Sequence, residues 1–184
     1  MIRLATTLWD LIDPRPSRAA LRDAKKGALR EQKANAPEVS SRARPMQARY
    51  DALVEEMKRV HEVRVVKWRK STSGCAWEVR YADGRCVRLI ESPYPRGPMS
   101  CAVFMHEIGH HAIGLRRFRP RCLEEFHAWR WGIEEMKARG FNVTPAVLKR
   151  RDDALRYAVA KALRRGLRAL PEELLPYAPM QVQL

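Results

Sequence analysis

The chain has 184 residues, and 36 Lys and Arg residues against 21 Asp and Glu residues give it a formal net charge of +15. This length suffices for one domain with a real apolar core and an extension. No stretch is apolar enough to span a bilayer, and Met1 to Pro14 lacks the apolar segment of an export signal, so we expect a cytoplasmic protein without membrane contact. The charge suits nucleic acid or acidic protein partners, and equally a surface that maintains solubility.

Residues 1–45 have the composition of an extension rather than of a core. They contain ten basic and five acidic residues and four prolines. Few large apolar side chains are available for burial, so we predict a basic N-terminal extension that is partly disordered. A DNA-contacting arm is the alternative interpretation. We assign residues 46–184 to a single folded domain that includes a basic C-terminal helix.

The folded domain is predicted to begin with a helix and three short strands. Between Met46 and Val60, apolar residues recur at helical spacing behind Pro45. Asp83 and Gly84 predict a tight hairpin between the last two strands, and we take the third strand as the edge of a small sheet. The three runs rich in β-branched and aromatic residues are residues 63–70, 76–81 and 86–91.

Residues 105–114 contain the pattern His-Glu-x-x-His at His106, Glu107 and His110. Residues four apart on a helix lie one turn above each other, so the two imidazoles can bind one metal ion, which we expect to be Zn²⁺. Glu107 can reach a water on that ion, whose pKa zinc lowers to about 7, and can act as a general base. The sequence therefore predicts a hydrolytic metal centre.

The helix that carries this pattern has recognisable end signals. Ser100 is the predicted N-cap, and Gly114 can adopt the left-handed conformation that ends a helix. The preceding residues 92–98 include three prolines and predict an irregular loop at the rim of the site. Tyr94 or Arg96 in this loop could reach an oxyanion, but a packing role is commoner for such a tyrosine, and neither is assigned to the catalytic set.

A catalytic zinc ion needs a third protein ligand, and three downstream residues are candidates: Glu124, Glu125 and His127. Residues 122–140 are predicted to form a helix. Steps of three and four from Glu125 reach its apolar stripe, which consists of Ala128, Trp129, Gly132, Ile133 and Met136. We therefore predict that Glu125 is the ligand. Glu124 is then a solvated acid in the first turn, and His127 a flank residue or a partner of a ligand.

The segment His-Glu-Ile-Gly-His-His, followed by Glu-x-x-Ala on a second helix, resembles the gluzincin metallopeptidases, and most closely the compact ImmA/IrrE family. The resemblance covers residue 46 to about residue 140. It implies an α+β fold of the minimal zincin type, with a small twisted sheet on the active-site helix. It also implies an intracellular zinc-dependent endopeptidase from a bacterium or phage, with DNA-binding regulators as the expected substrates. The extended metzincin pattern is absent, because Arg116 stands where its third histidine would fall.

Two other functions are compatible with the same residues. A DNA-associated metalloprotease of the SprT-like type would use a third histidine such as His127 and would account for the basic charge. A nucleic-acid-binding or partner-binding module would retain the site without catalysis. The intact Glu107 favours an enzyme, because a purely structural metal site does not need a base beside its ligand.

The remaining segments are basic. Residues 115–121 contain four arginines between the two proposed ligand helices, which predicts an electropositive connector or simply a solvated one. Thr144 and Pro145 are an N-cap and first residue of a helix that extends to about Arg165 with a basic outer face. In the tail, Leu175 or Tyr177 is expected to pack on the domain.

Histidine and cysteine residues outside the proposed ligand set are given structural roles. His111 is predicted to lie on the flank of its helix. The four cysteines lack C-x-x-C spacing, and the hairpin would not place Cys75 opposite Cys86. We therefore predict reduced thiols that are mostly buried.

Overall fold

The computed structural model describes residues 43–179, which form four α-helices, three strands and one short 3-10 helix. In chain order these are α1 (Ala43–Val60), β1 (Val63–Arg69), β2 (Cys75–Arg80), β3 (Cys86–Pro93), α2 (Pro98–Ala112), α3 (Arg121–Ala138), α4 (Pro145–Arg164) and the 3-10 helix Glu172–Tyr177. The fold class is therefore α+β, as predicted. The proposed N-terminal extension lies outside the described residues, except for its last three positions, which open α1.

Helix α1 packs its middle turns on the core and leaves both ends in solvent. Met46 and Val60, which complete the predicted apolar stripe, are 40% and 52% exposed. The ring of Phe141, in the segment after α3, stacks on Tyr50 at a centroid distance of 5.1 Å. The buried apolar residues of α1 are Tyr50, Leu53, Val54 and Met57. The predicted face is thus confirmed in its central turns.

The three strands form a mixed sheet in the order β1-β3-β2. Strand β3 pairs in parallel with β1 and antiparallel with β2, so it is the central strand. The assignment of this strand to the edge was wrong. Its fully buried Ile90 gives it a core position, while the charged Arg88 reaches past the strand end and donates a hydrogen bond to the carbonyl oxygen of His61 at 3.0 Å.

The predicted hairpin is confirmed between β2 and β3. Arg80 pairs with Cys86 across the turn, and the amide of Tyr81 donates to the carbonyl oxygen of Arg85 at 2.9 Å. Gly84 has a φ of 84°, a conformation that costs a glycine little. The register places Cys75 opposite Glu91, so the two strand cysteines are not partners.

Helix α2 is the central element of the core, and every residue from Cys101 to His111 is buried. The N-cap is Gly97, not Ser100 as predicted. Ser100 lies in the first turn, where its Oγ accepts hydrogen bonds from the amides of Arg96 and Gly97 and so still satisfies the helix start. Gly114 follows the helix with a φ of 87°, as predicted.

Helix α4 and the tail close the other side of the domain. The Thr144 side chain accepts a hydrogen bond from the amide of Val147, which confirms the predicted N-cap. The tail packs through Leu174, which is fully buried, whereas Leu175 is 46% exposed. Leu175 was one of two alternatives for this packing, and the 3-10 turn directs its neighbour Leu174 inward instead. Tyr177 packs on the core as expected.

The cysteines are all free thiols, as predicted, but only half of them are buried. Cys101 and Cys122 lie in the core, and Cys75 and Cys86 are exposed at the starts of β2 and β3. None of the helices between residues 43 and 179 is long and apolar enough to cross a membrane.

Candidate metal centre

Two imidazoles of α2 and one carboxylate of α3 converge on one point. The rings of His106 and His110, one helical turn apart, have centroids 4.7 Å from each other. Glu125 Oε2 lies 3.3 Å from His106 Nε2 and 3.6 Å from His110 Nε2. The three ligand atoms all lie within 4.8 Å of one another, so these residues form a possible metal-binding cluster.

Small residues allow α2 and α3 to approach closely enough for this convergence. A Cβ atom at Gly109 would lie 2.6 Å from the carbonyl oxygen of Ala128, and one at Gly132 would lie 3.0 Å from the backbone of Met105. Each helix therefore contributes a glycine at the contact. The small Ala128 lies at this contact. This role of Gly109 was not predicted from the sequence, although its position inside the His-Glu-x-x-His segment indicates a small residue on the helix that carries the histidines.

His110 is oriented by the second glutamate of α3. Its Nδ1 lies 3.2 Å from Glu124 Oε1, and Glu124 Oε2 accepts a hydrogen bond from the amide of Arg116 at 2.7 Å. Glu124 is 1% exposed, so the expectation of a solvated acid was wrong. The connector before α3 folds back over this carboxylate, which removes it from water. Glu124 thus leaves Nε2 of His110 free to face Glu125.

His106 is held by ring packing. Its ring stacks on Trp129 with a centroid distance of 4.3 Å and an interplanar angle of 19°. Within the described residues, its Nδ1 has no hydrogen-bond partner. The position of this imidazole therefore depends on the indole of α3 rather than on an acceptor such as the one that Glu124 provides for His110.

The electrostatics of the cluster favour positive charge at its centre. Burial lowers the pKa of His106 to about 4, so this imidazole is neutral. Burial also opposes a charge on His110, but hydrogen bonds to Glu124 and Glu125 outweigh it and raise that pKa to about 9. The pKa of Glu125 is lowered, because contacts with both imidazoles outweigh its own burial. The neutral imidazole of His106 and the ionised carboxylate of Glu125 form a donor set that fits a divalent cation.

Glu107 is buried beside the cluster, with its side chain against the first residues of β2. A Cβ atom at Gly74 would overlap the Glu107 carboxylate, so only glycine leaves room for it. Burial raises the pKa of Glu107 to about 7. Arg69 braces this side of the site by donating to Glu91 at 2.9 Å and to Ser73 at 3.1 Å. Gly74 was not identified from the sequence, because its neighbours in space are distant along the chain.

Other candidate residues lie away from the cluster. The ring of His127 packs on Phe118 at a centroid distance of 4.0 Å, and the structure does not bring it to the metal ligands. His111 is buried, and its ring nitrogen lies 3.1 Å from the Leu89 carbonyl oxygen, so it joins α2 to β3 instead of lying on a flank. Tyr94 donates to Asp51 Oδ1 at 2.7 Å, which supports its exclusion from the catalytic set.

The cluster opens into a groove of about 940 Å³ between β2, α3 and α4. Ser73 to Ala76 line one side, so β2, the edge strand, and not β3, borders the site. Arg121 lies at the start of α3, with Nη2 3.5 Å from Glu125 Oε1. Arg150 of α4 donates to the carbonyl oxygen of Thr72 at 3.2 Å. The site is therefore accessible to an extended ligand beside an edge of β2 that pairs with no other strand of residues 43–179.

Comparison of the chain with protein-family models, with curated proteins and with solved structures gave no match. The interpretation of the site therefore depends on its own residues.

Proposed function

We propose that this protein is a zinc-dependent endopeptidase with a zincin-like fold, in which His106, His110 and Glu125 bind the ion and Glu107 is the general base. The observation that carries the proposal is the convergence of the three ligand atoms beside a buried Glu107 and an open groove. Two ligands of one tetrahedral zinc ion lie about 3.3 Å apart, given bonds of about 2.0 to 2.1 Å. The separations of 3.3 and 3.6 Å from Glu125 to the imidazoles agree with that spacing.

The residues of the chain perform distinct tasks in the proposed reaction. When bound, zinc supplies Lewis acidity, which polarises a carbonyl group and increases the acidity of water. Glu107 accepts a proton from the attacking water at its carboxylate and transfers it to the leaving nitrogen of the cleaved peptide bond. Glu124 holds His110 through Nδ1, and Trp129 holds His106 by stacking. Both contacts keep the two Nε2 atoms directed at the ion.

The edge strand provides a way to bind the substrate backbone. Strand β2 pairs with β3 on one side, and its first residues line the groove. An extended peptide can add to such an edge through main-chain hydrogen bonds. This arrangement would carry the peptide past Gly74 and Glu107. We infer a protein substrate for this reason, and the resemblance to the ImmA/IrrE family makes a DNA-binding regulator the substrate class to test first.

The SprT-like alternative requires a third histidine ligand, and the packing of His127 on Phe118 does not support it. A binding module without catalysis does not need a buried carboxylate beside the cluster, so the position of Glu107 favours an enzyme. The geometry thus supports the peptidase best.

The proposal is tested by measuring zinc content and proteolysis together. We expect the purified chain to contain one zinc ion and to cleave an unstructured substrate such as casein. Glu107→Gln should retain the fold and the zinc, because glutamine is nearly isosteric and position 107 is not a ligand. Its activity should fall at least about a hundredfold, the scale of general-base catalysis.

Two variants complete this experiment. His106→Ala should lose the zinc. Glu134→Gln is the control for Glu107→Gln, because it makes the same substitution at an exposed position of α3, and it should behave as wild type. Zinc-free wild-type protein, or near-normal proteolysis by Glu107→Gln, would refute the proposal.

A further inference from the structure

The α4 wall of the groove consists of two rows of side chains with a spacing of four residues. Residues four apart on a helix lie one above another, so each row forms a ridge along the groove. The first row is Arg150, Ala154, Ala158 and Ala162, and the second is Asp153, Tyr157, Lys161 and Arg165. The wall therefore combines a low ridge of alanines with a taller, mostly polar ridge.

The alanine ridge leaves space for a long, narrow ligand. From Arg150 to Arg165 the helix rises by about 22 Å, at about 1.5 Å per residue. An extended peptide of six or seven residues covers that length at about 3.3 Å per residue. Arg150 marks the end of the wall near the metal centre, because its hydrogen bond to Thr72 ties it to the segment that leads into Gly74.

The end of the groove farther from the metal cluster carries two cations, Lys161 and Arg165, that have no counterion among residues 43–179. Asp153 is already neutralised by Lys149 at 2.5 Å and by Arg156 at 3.6 Å. Lys161 lies over the Tyr157 ring at 5.9 Å, and neither Lys161 nor Arg165 has an ion-pair partner within residues 43–179. Two cations at the open end of a groove are complementary to an anionic ligand.

We propose that this groove binds an extended peptide segment with acidic side chains, which Lys161 and Arg165 recognise. The inference rests on the proposed peptidase function and names the substrate preference of that site. Lys161 lies about 16 Å along the helix axis from Arg150, so the acidic residues lie about five positions from the point where the peptide passes Arg150. Lys161 and Arg165 are thus specificity-determining residues and not catalytic ones.

A peptide fits the groove better than a nucleic acid strand. Single-stranded nucleic acid is bound by stacking platforms of aromatic side chains beside cations. Among the residues that line the groove, Tyr157 is the single exposed aromatic side chain, because Trp129 is 2% exposed and is covered by His106. Residues 1–45 of the chain itself carry net positive charge, so they are not complementary to Lys161 and Arg165.

Binding can be measured without cleavage in the zinc-loaded full chain with Glu107→Gln. The probes are fluorescein-labelled peptides of eight residues that carry two Glu, two Gln or two Lys, with fluorescence anisotropy as the readout. We expect the Glu peptides to bind most tightly. Lys161→Glu with Arg165→Glu should weaken their binding about tenfold, since two attractive surface pairs become repulsive, and should favour the Lys peptides.

Arg164→Glu with Arg168→Glu is the matched control, because it changes the net charge equally at exposed positions that do not line the groove. It should leave the preference for Glu peptides intact. An equal loss in both double variants would show a general charge effect and overturn the assignment. Tighter binding of single-stranded DNA with equal charge, lost only in the Lys161 and Arg165 variant, would identify the groove as a nucleic acid site and also overturn it.

Cleavage by the wild-type chain separates the failure of this inference from the failure of the proposed function. Mass spectrometry of cleaved denatured proteins should show Asp or Glu enriched at one fixed distance from the cleaved bond, and Lys161→Glu with Arg165→Glu should remove that enrichment. Cleavage without it would refute the groove assignment and retain the peptidase. Charge-dependent peptide binding without any cleavage would support the groove assignment and refute the peptidase.

Discussion

Two adjacent glutamates of α3 reach different atoms of the same centre. They differ by about 100° around the helix axis. Glu125 faces the Nε2 atoms of both histidines, whereas Glu124 reaches Nδ1 on the far side of the His110 ring. Side-chain exposure of 23% at Glu125 and 2% at Glu124 agrees with this division, because Glu125 faces the open groove and Glu124 faces the core.

This division predicts unequal effects on zinc affinity. Glu124→Ala should weaken zinc binding about 10-fold to 100-fold, the range for a residue that orients a metal ligand. Glu125→Ala should weaken it by more than that, because it removes a bond to the ion. Competition with a chromogenic chelator measures both affinities.

His127→Ala serves as the control on the same helix, and its zinc affinity should equal that of the wild-type chain, because its ring contacts Phe118 and not the cluster. The assignment of Glu125 would be wrong if Glu124→Ala cost as much as Glu125→Ala.

At the level of elements, the contact between α2 and α3 sets the position of the ligands. Neither helix completes the proposed metal site alone, since α2 supplies two imidazole nitrogens and α3 supplies one carboxylate. Gly109 and Gly132 permit the close contact that joins them. Because protein interiors are close-packed, a methyl group at this interface must move a backbone.

Gly109→Ala is therefore expected to destabilise the fold. Alanine adds up to about 1 kcal/mol of helix propensity, but overpacking against the Ala128 carbonyl costs about 1 to 3 kcal/mol. The free energy of unfolding, measured with urea, should fall for Gly109→Ala. It should fall less for Gly132→Ala, because the added Cβ would lie 3.0 Å from the carbonyl carbon of Met105, instead of 2.6 Å from the Ala128 oxygen. Equal or higher stability of Gly109→Ala would show that the helices can separate without cost.

Among the three strands, β2 is the one that lines the groove. This strand borders the groove, and Gly74 directly before it makes room for Glu107. The central strand β3 has a different task, which is to anchor α2 through the contact between His111 and the Leu89 carbonyl. The edge strand β2 thus borders the groove, and the central strand β3 holds α2 in place.

At the scale of the whole molecule, the thiols report on the integrity of the fold. Burial raises the pKa of Cys101 to about 12, and Cys122 is also buried with a raised pKa. In the native chain at pH 8, a thiol reagent should therefore modify Cys75 and Cys86 and leave the other two intact. Partial burial and the nearby Glu107 raise the pKa of Cys75, so it should react more slowly than a free cysteine.

The reaction is followed by absorbance with an aromatic disulfide reagent, and peptide mapping identifies the modified positions. Denaturant should release all four thiols. Rapid modification of Cys101 in the absence of denaturant would contradict the packing of α2, since this residue is 0% exposed.

The fold also determines where the positive charge of the basic C-terminal helix lies relative to the groove. The chain has eight basic and two acidic residues between Pro145 and Leu170, which predicted only a basic helix face. In the structure, both acids of that segment are paired with neighbouring cations, and Lys161 and Arg165 border the groove. Part of the surplus positive charge thus lines the groove, while Arg164 and Arg168 lie outside it.

The sequence by itself determined the elements and the faces that they bury. The Thr144 cap, the Asp83-Gly84 turn and Gly114 are local signals that appear at their predicted positions, and helical periodicity identified the buried face of α1 in its central turns. The predicted Ser100 cap was wrong, because Gly97 is the N-cap. The apolar stripe also predicted Glu125 rather than Glu124, and Glu125 is the glutamate that faces both Nε2 atoms, although Glu124 is the more deeply buried of the two. The identity of the ion and the reaction remain proposals.

Only the tertiary structure decided how these elements meet. The strand order, the burial of Glu124, the role of Gly74 beside Glu107 and the alignment of Lys161 with the groove all depend on residues that are distant along the chain. Periodicity describes one element at a time and contains no information about which element packs on it. The space between α2, α3, α4 and β2 is created by that packing, and so is the site.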